Sequence, residues 1–465
     1  MIDNSIAVIL AAGGKDKMKS SYPRTMSMVL SRPMLDWVLT AVENSGIERI
    51  CVVSGENEKS VIDCVGQRAS IVEQFEMKGT AHAVMQAGEF LRLYQDCDVL
   101  IINGDTPFMD AETIHSALTV HRQSGLDVTA ISAITDKPFG HVRIVCDEND
   151  SFINVVEERD ADKKTKKIKE VSSGAFWFKA GILLEALDNV EPRLDGTYRL
   201  VDVVKLFIDN GCKAGVFTST NSNVVLDAHN RREVNALNEV ARMSVINKLL
   251  DSGVNFPCFD GIMIDPTVEI GEDVTILPNT MIYGDTKIGR GCILGPNTYI
   301  EDSIIGESSI LDNTKCRLAK VGNNASIGPF VQIRPNSVIC DNVHLGNFVE
   351  VKNSSIDDGT KVSHLTYVGD SDVGKNVNFG CGTVTVNYNG KAKYRTTIGD
   401  NVFIGCNTNL IAPVKVGDYS YTAAGSTITE DVPPASLAIA RARQINKEGW
   451  VAGFKDREKE KNGNV

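Results

Sequence analysis

"VEIGEDVTILPNTMIYGDTKIGRGCILGPNTYIEDSIIGESSI" (residues 268–310) places an aliphatic residue about every six positions. Ile270, Ile276, Ile282, Ile288 and Ile293 mark the period, often with glycine next. The period returns at Val338, Val343 and Val349, and again in "IGDNVFIGCNTNLIAPVKVG" (398–417). A six-residue repeat rich in aliphatics and glycine predicts a β-helix solenoid. Each turn is then a triangle of three short strands, and each aliphatic side chain points inward onto its equivalent in the next coil. Scattered strands of a β-sandwich would not sustain so short a period.

Upstream the grammar differs. "IAVIL" (6–10), "RICVVSG" (49–55), "DVLIING" (98–104) and "DVTAISAI" (127–134) read as buried strands, and "PMLDWVLTAVENSG" (33–46) and "HAVMQAGEFLRLY" (82–94) as amphipathic helices. Strands alternating with helices predict an α/β domain, Rossmann-like, around a mostly parallel sheet. Ligands of such sheets bind beyond the carboxyl ends of the strands. Two motifs follow strands directly and fall on that edge: "LAAGG" (10–14) and "NGD" (103–105). "HNRREVNALNEVARMSVINKLLDS" (229–252) reads as one long connecting helix, with Val234, Leu237, Val240, Val245 and Leu249 at roughly helical spacing. The predicted order is a nucleotide-binding-type domain at 1–228, a linker helix at 229–252, the solenoid at 253–453 and a polar, disordered tail at 454–465.

A chain of 465 residues exceeds one ordinary core. Its formal net charge of −12 argues against broad binding to nucleic acid or membranes, whose surfaces are anionic. The eleven cysteines form no CxxC pairs, so neither a disulfide framework nor a zinc site is expected. "SIAVILAAGG" is too short to span a bilayer. These features predict a soluble cytoplasmic protein without membrane insertion.

"LAAGGKDKMKSSYPR" (10–24) has small residues first and cations after, as in a loop that holds phosphate. Lys15, Asp16 and Lys17 stand out within it. A lysine where glycine would give positive φ brings a Cβ toward the phosphate, and an aspartate adds negative charge beside it.

The solenoid motifs "GNFVEVKNS" (346–354), "SHLTYVGD" (363–370), "NVNFGCGTVTVNYNG" (376–390) and "EGW" (448–450) carry a resemblance that runs from about residue 5 to 453. In content, order and spacing the chain resembles the bifunctional bacterial enzymes that make UDP-N-acetylglucosamine. That family joins a uridylyltransferase domain to a left-handed β-helix acetyltransferase. The resemblance implies acetyl transfer from acetyl-CoA to glucosamine-1-phosphate, then uridylyl transfer from UTP to N-acetylglucosamine-1-phosphate with loss of pyrophosphate. It also implies Mg²⁺ at the first domain and a homotrimer completed between solenoids. Glucose-1-phosphate thymidylyl- and adenylyltransferases share the loop but lack the solenoid motifs.

Carried onto this chain, the resemblance makes His364 the general base, a role imidazole suits because it titrates near neutrality. Arg334, Lys352, Tyr367 and Asn378 match the sugar-phosphate site. Asn387, Tyr388 and Lys393 match positions near sugar and CoA, and Cys381, Cys406, Ala424 and Arg441 match the CoA channel. In the first domain Leu10, Ala11, Ala12 and Gly13 match the loop, and Lys17 and Arg24 its cations. Gln74, Gly79 and Thr80 in "QFEMKGTAHAV" match the uracil-reading stretch. Asn103 and Gly104 precede Asp105, the expected metal aspartate. Gly140, Glu157 and Ser172 match sugar positions, Ser172 standing for an asparagine and His141 for an arginine. "DAHNRREV" (227–234) puts His229 where the family has a metal-binding asparagine, with Asn230 one step on. Imidazole suits Mg²⁺ poorly. Alternative readings are an acetyltransferase with an inactive or retasked first domain, and a non-catalytic trimeric scaffold.

Overall fold

The computed structural model describes residues 4–13, 18–149 and 151–454. Lys15, Asp16, Lys17 and the tail from residue 455 lie outside the described residues. The chain divides into two compact units, Met1–Ser244 and Val245–Val465.

In the first unit the strands are β1 (Ser5–Leu10), β2 (Ile50–Gly55), β3 (Ser70–Gln74), β4 (Asp98–Asn103), β5 (Val128–Ile134), β6 (Arg143–Cys146), β7 (Phe152–Val156), β8 (Glu170–Lys179) and β9 (Ala214–Ser219). The helices are α1 (Met34–Asn44), α2 (Lys59–Val65), α3 (Thr80–Gln86), α4 (Gly88–Leu93), α5 (Ala111–Gln123), α6 (Ala180–Asn189), α7 (Leu200–Asp209) and α8 (Arg231–Asp251). The main sheet runs β9-β5-β8-β4-β1-β2-β3, with β6 paired to β8 and β7 to β6. Its pairings are parallel except those of β8 and that between β6 and β7.

Every residue of β1 is buried, because helices cover both faces of the sheet. Ile6, Val8 and Leu10 join one core with Val84, Leu183 and Phe207 of α3, α6 and α7. Ala7 and Ile9 join the other with Leu35, Val38 and Ile114 of α1 and α5. Successive side chains of a strand point to opposite faces, which explains why an unbroken apolar run feeds two cores. Register pairs Leu10 with both Val53 and Asn103, so β1 and β4 end flush and β2 runs on to Gly55 beside them.

The stretch read as one helix at 82–94 is two helices. Ala87 N–H reaches Val84 O, a tightened i to i−3 turn, and Gly88, a poor helix residue, follows. Asn230 caps α8, its Oδ1 accepting from Arg232 and Glu233 N–H at 3.0 and 3.1 Å. The boundary between the compact units falls inside α8, whose first half is held to the N-terminal unit through Asn238, which accepts from Leu30 N–H at 2.7 Å.

In the second unit three parallel sheets of 10, 9 and 10 short strands stack side by side. Ile264, Ile282, Ile300, Cys316, Ile333, Val351 and Val368 pair in register through seven coils and are all buried. The six-residue period slips at two places. Leu294 and Ile339 fill the inward positions, while Ile293 and Val338, read as core, are exposed at 40% and 41%. Doublets such as Ile293–Leu294 offer two apolar residues, and only the pleat selects the inner one. Asn279, Asn297 and Asn313 turn successive corners at positive φ, a conformation asparagine tolerates, and bond to one another at 3.1 and 3.2 Å. Among the described residues no helix is long and apolar enough to cross a membrane.

Candidate functional site

The carboxyl edge of β1, β2 and β4 carries the first cluster. Gly104 N–H donates to Leu10 O at 2.9 Å, and a Cβ on Gly104 would stand 3.2 Å from that oxygen. The two strand ends therefore close on each other, and Asp105 is placed at their junction, only 2% exposed. A cleft of about 190 Å³ beside it is lined by Leu10, Ala12, Gly13, Arg24, Gln74, Gly79, Thr80, Asn103 and Asp105. Ala11 is not in this lining; it is buried, with its N–H on Val53 O. Gly79 has φ 103°, and a Cβ there would meet Tyr198 O at 2.3 Å, so only glycine fits. Gln74, almost fully buried, donates to Gly79 O at 3.3 Å and lies 2.9 Å from His82 Nδ1.

A second cleft of about 510 Å³ shares Asn103 and is lined by Gly140, His141, Glu157, Ser172, Asp227 and His229, with Lys166 and Arg159 beside them. Glu157 Oε2 accepts from Arg199 at 2.8 Å and Arg159 at 2.7 Å. Ser172 Oγ accepts from Gly174 N–H at 3.1 Å.

Arg24 joins the two clefts. Its guanidinium pairs with Asp105 Oδ2 and lies 2.6 Å from His229 Nδ1. His229 Nε2 is 3.2 Å from Asp227 Oδ2. Burial raises the Asp105 carboxyl above its ordinary range; Arg24 opposes this and Asp227 adds to it. Burial also acts upward on Asp227, but the hydrogen bond and charge of His229 outweigh it and hold that carboxyl low. His229 is raised by its bond to Asp227, against burial and Arg24. His141 is lowered by burial. Asp227, Arg199 and Lys166 were not singled out in the sequence; Asp227 stood within "DAHNRREV" beside the noticed His229.

The second cluster lies on the solenoid. Leu365 turns a corner with φ 46°, leaving His364 at the end of one strand and Tyr367 at the start of the next. His364 pairs in register with Asn347. Val362, Phe379, Ile404 and Thr422 align in successive coils. Two residues further along each strand stand His364, Cys381, Cys406 and Ala424, so these form one row. Coils repeat at about 4.8 Å, so the row runs roughly 14 Å from Ala424 to His364. Cys406 and Ala424 are exposed, and Arg441 lies beside the next corner, 3.8 Å from where a Cβ on Gly425 would be.

Around the corner from His364 is a polar array. Asp370, 5% exposed, accepts from Asn353 and Asn387, and Lys352 Nζ is 3.7 Å away. Asn387 also donates to Tyr367 OH at 3.4 Å. Burial pushes Asp370 up, but these donors and the two lysines hold its carboxyl below the ordinary range. Lys393 is lowered by Lys352 next to it. Two ammonium groups side by side form a seat for an anion. Arg334 donates to Glu350 at 2.8 Å, and Glu350 pairs with Tyr367 in register. Asn387, Tyr388 and Lys393 sit on an inserted loop: the Lys375–Asp400 rung spans 25 residues where the Asn323–Asp341 rung spans 18. Asn378 is half-buried on the strand that pairs with His364's in the next coil, with its N–H on Val402 O at 2.9 Å, and makes no hydrogen bond to the Asp370 array among the described residues. Asp370 is the member the sequence reading passed over, although it ends "SHLTYVGD".

The MobA-like NTP transferase domain family matches residues 7–170, and the bacterial transferase hexapeptide family matches residues 267–302, 319–353 and 395–430. A protein of Caldanaerobacter subterraneus subsp. tengcongensis described as "Bifunctional protein GlmU" is 45% identical over 97% of this chain and 98% of its own length. Proteins of the same description from Thermoanaerobacter pseudethanolicus and Acetivibrio thermocellus are 42% and 41% identical over 97% and 96% of this chain, and 98% and 97% of theirs. A nucleotidyltransferase α/β domain followed by a left-handed β-helix of hexapeptide repeats, matched end to end at this identity, belongs to the family of bifunctional GlmU proteins.

Proposed function

We propose that the chain acetylates glucosamine-1-phosphate with acetyl-CoA on its solenoid and joins N-acetylglucosamine-1-phosphate to UTP in its first domain, making UDP-N-acetylglucosamine. The observation that carries this reading is the row from Ala424 to His364, which ends beside an anion seat. An extended thioester arm lying along exposed small residues delivers its acyl carbon to the imidazole. His364 takes the proton of the sugar amine as the nitrogen attacks that carbon; the C–N bond forms, the C–S bond breaks and CoA leaves as the thiol. Lys352, Lys393 and Arg334 neutralise the sugar phosphate, and Tyr367, Asn378 and Asn387 orient the sugar. Tyr388, Cys381, Cys406 and Arg441 border the CoA side.

In the first domain a phosphate oxygen of the sugar attacks the α-phosphorus of UTP, and pyrophosphate leaves. Ala12 and Gly13 bring backbone amides close to phosphate, Arg24 supplies charge, and Gln74, Gly79 and Thr80 border the base. Gly140, Glu157 and Ser172 border the sugar. Mg²⁺, when bound, screens triphosphate charge. Asp105 fits it: a hard, buried carboxylate whose Oδ2 already pairs with the cationic Arg24.

The same reading makes the protein a cytoplasmic homotrimer. Its support is an exposed apolar row beside the base. Phe330 and Phe348 stack at 5.3 Å, and Leu365 continues the row one coil on; a second copy of the chain would cover it. The eleven cysteines are all free, in keeping with a reducing compartment.

A split assay tests the proposal. N-acetylglucosamine-1-phosphate, UTP and Mg²⁺ should release pyrophosphate, and glucosamine-1-phosphate with acetyl-CoA should release thiol. Thiol without pyrophosphate would assign acetyl transfer alone; neither product would leave a scaffold.

A further inference from the structure

His229 occupies the position where the family pattern has a metal-binding asparagine, but its ring has nothing to offer a cation. A guanidinium only donates, so Nδ1, 2.6 Å from Arg24, accepts, and the ring proton sits on Nε2, 3.2 Å from Asp227. A second proton on the ring would remove the last lone pair. Asn230 is committed as well: its Oδ1 caps α8 and its Nδ2 donates to Glu233 at 2.6 Å. Among the described residues, Glu157 and Glu158 of the adjoining cleft are held by arginines, which leaves Asp105 and Asp227 beside this pair. Asp105 is 2% exposed, and its Oδ2 already faces a cationic group, the Arg24 guanidinium. Asp227 lines the adjoining cleft with Asn103 and His229. Asn103 lines both this cleft and the one that holds Asp105, so the two carboxylates flank a shared wall. Hard oxygen donors of this kind suit Mg²⁺ or Mn²⁺ better than an imidazole does.

We propose that Asp227, rather than His229, is the second protein ligand of the divalent cation, and that His229 is a positioning residue held between Asp227 and Arg24. The proposal rests on reading this cleft as the nucleotidyl-transfer site. A carboxylate in place of a neutral amide adds one negative charge, so the cation should bind before any nucleotide is present.

Mn²⁺ titration of the full chain without nucleotide, followed by electron paramagnetic resonance, tests this. Wild type, D105N, D227N and H229Q are compared, with thiol release at the solenoid site as the control for folding. Mn²⁺ held at the Cys340–Asp357–Asp358 group survives D105N and is subtracted as background. The expected result is a saturable site in wild type, weakened at least about tenfold in D105N and D227N and by no more than about threefold in H229Q. Wild-type binding in D227N, or a loss in H229Q as large as in D105N, overturns the assignment. Absence of any Asp105-dependent binding in wild type overturns it too and makes Arg24 the resident cation of the site. Pyrophosphate release is measured separately. Asp227-dependent Mn²⁺ binding without turnover sinks the functional reading and leaves the ligand assignment standing.

Discussion

His364 and Asp370 lie on either side of one corner, and each makes a separable prediction. Replacing His364 with alanine removes the proposed base without touching the first domain. Thiol release should fall at least about a hundredfold, while pyrophosphate release is unchanged; loss of both in a folded protein would contradict two independent sites. Asp370 holds Asn387 and Lys352 in place. Its carboxyl is depressed in the fold, so its contribution to stability is present above the ordinary carboxylate value of about 3.9 and is lost as pH falls through the lower folded value. D370N should therefore lower Tm near neutrality, with the gap to wild type closing on acidification, and should raise KM for glucosamine-1-phosphate more than it lowers kcat. A Tm gap independent of pH would show that Asp370 does not act as a charge. The thiols divide in the same manner. Burial pushes Cys316 up to about 12, whereas Cys406 is exposed on the row that leads to His364. Alkylation of the native protein should label Cys406 long before Cys316 and stop thiol release but not pyrophosphate release, and acetyl-CoA should protect; mass spectrometry of labelled peptides checks this.

At the scale of elements, the tight join between β3 and α3 depends on Gly79. Alanine there combines a positive φ with a Cβ 2.3 Å from Tyr198 O. G79A should cost about 2–4 kcal/mol of stability and lower UTP turnover. Denaturant unfolding measures the first, and an unchanged midpoint would mean that the backbone relaxes around the clash. In the solenoid each coil is stabilised by its neighbours, so a cavity is not confined to one strand. Ile333 is fully buried between Cys316 and Val351. I333A should cost about 2–5 kcal/mol. The inserted loop at Asn387–Lys393 behaves differently: most of its residues are exposed, and shortening it should remove sugar-phosphate affinity with little change in Tm.

For the whole molecule, the stacked Phe330 and Phe348 and the exposed Leu365 predict association. Sedimentation should give three times the 50.5 kDa chain mass. Charged replacements at Phe330 and Phe348 should lower that mass and acetyl transfer together, while pyrophosphate release persists. A fully active monomer would remove the need for a neighbouring chain.

Much of this architecture was legible before any coordinates. The six-residue period specified a stacked solenoid because inward aliphatics recur only where coils repeat, and the unbroken apolar strands specified a sheet covered on both faces. The solenoid motifs also named His364, Lys352, Tyr367 and Asn387. What the sequence could not settle was which of two adjacent residues faces inward, as at Ile293–Leu294, because both are apolar and only the pleat chooses. Nor could it show that Arg24 and Asp227 occupy the two nitrogens of His229. Arg24 and His229 are 205 residues apart in the chain, and only the folded sheet edge brings them within hydrogen-bonding distance. Local pattern determined the elements; the hydrogen-bonding partners that decide the chemistry of a polar side chain came from contacts distant in sequence.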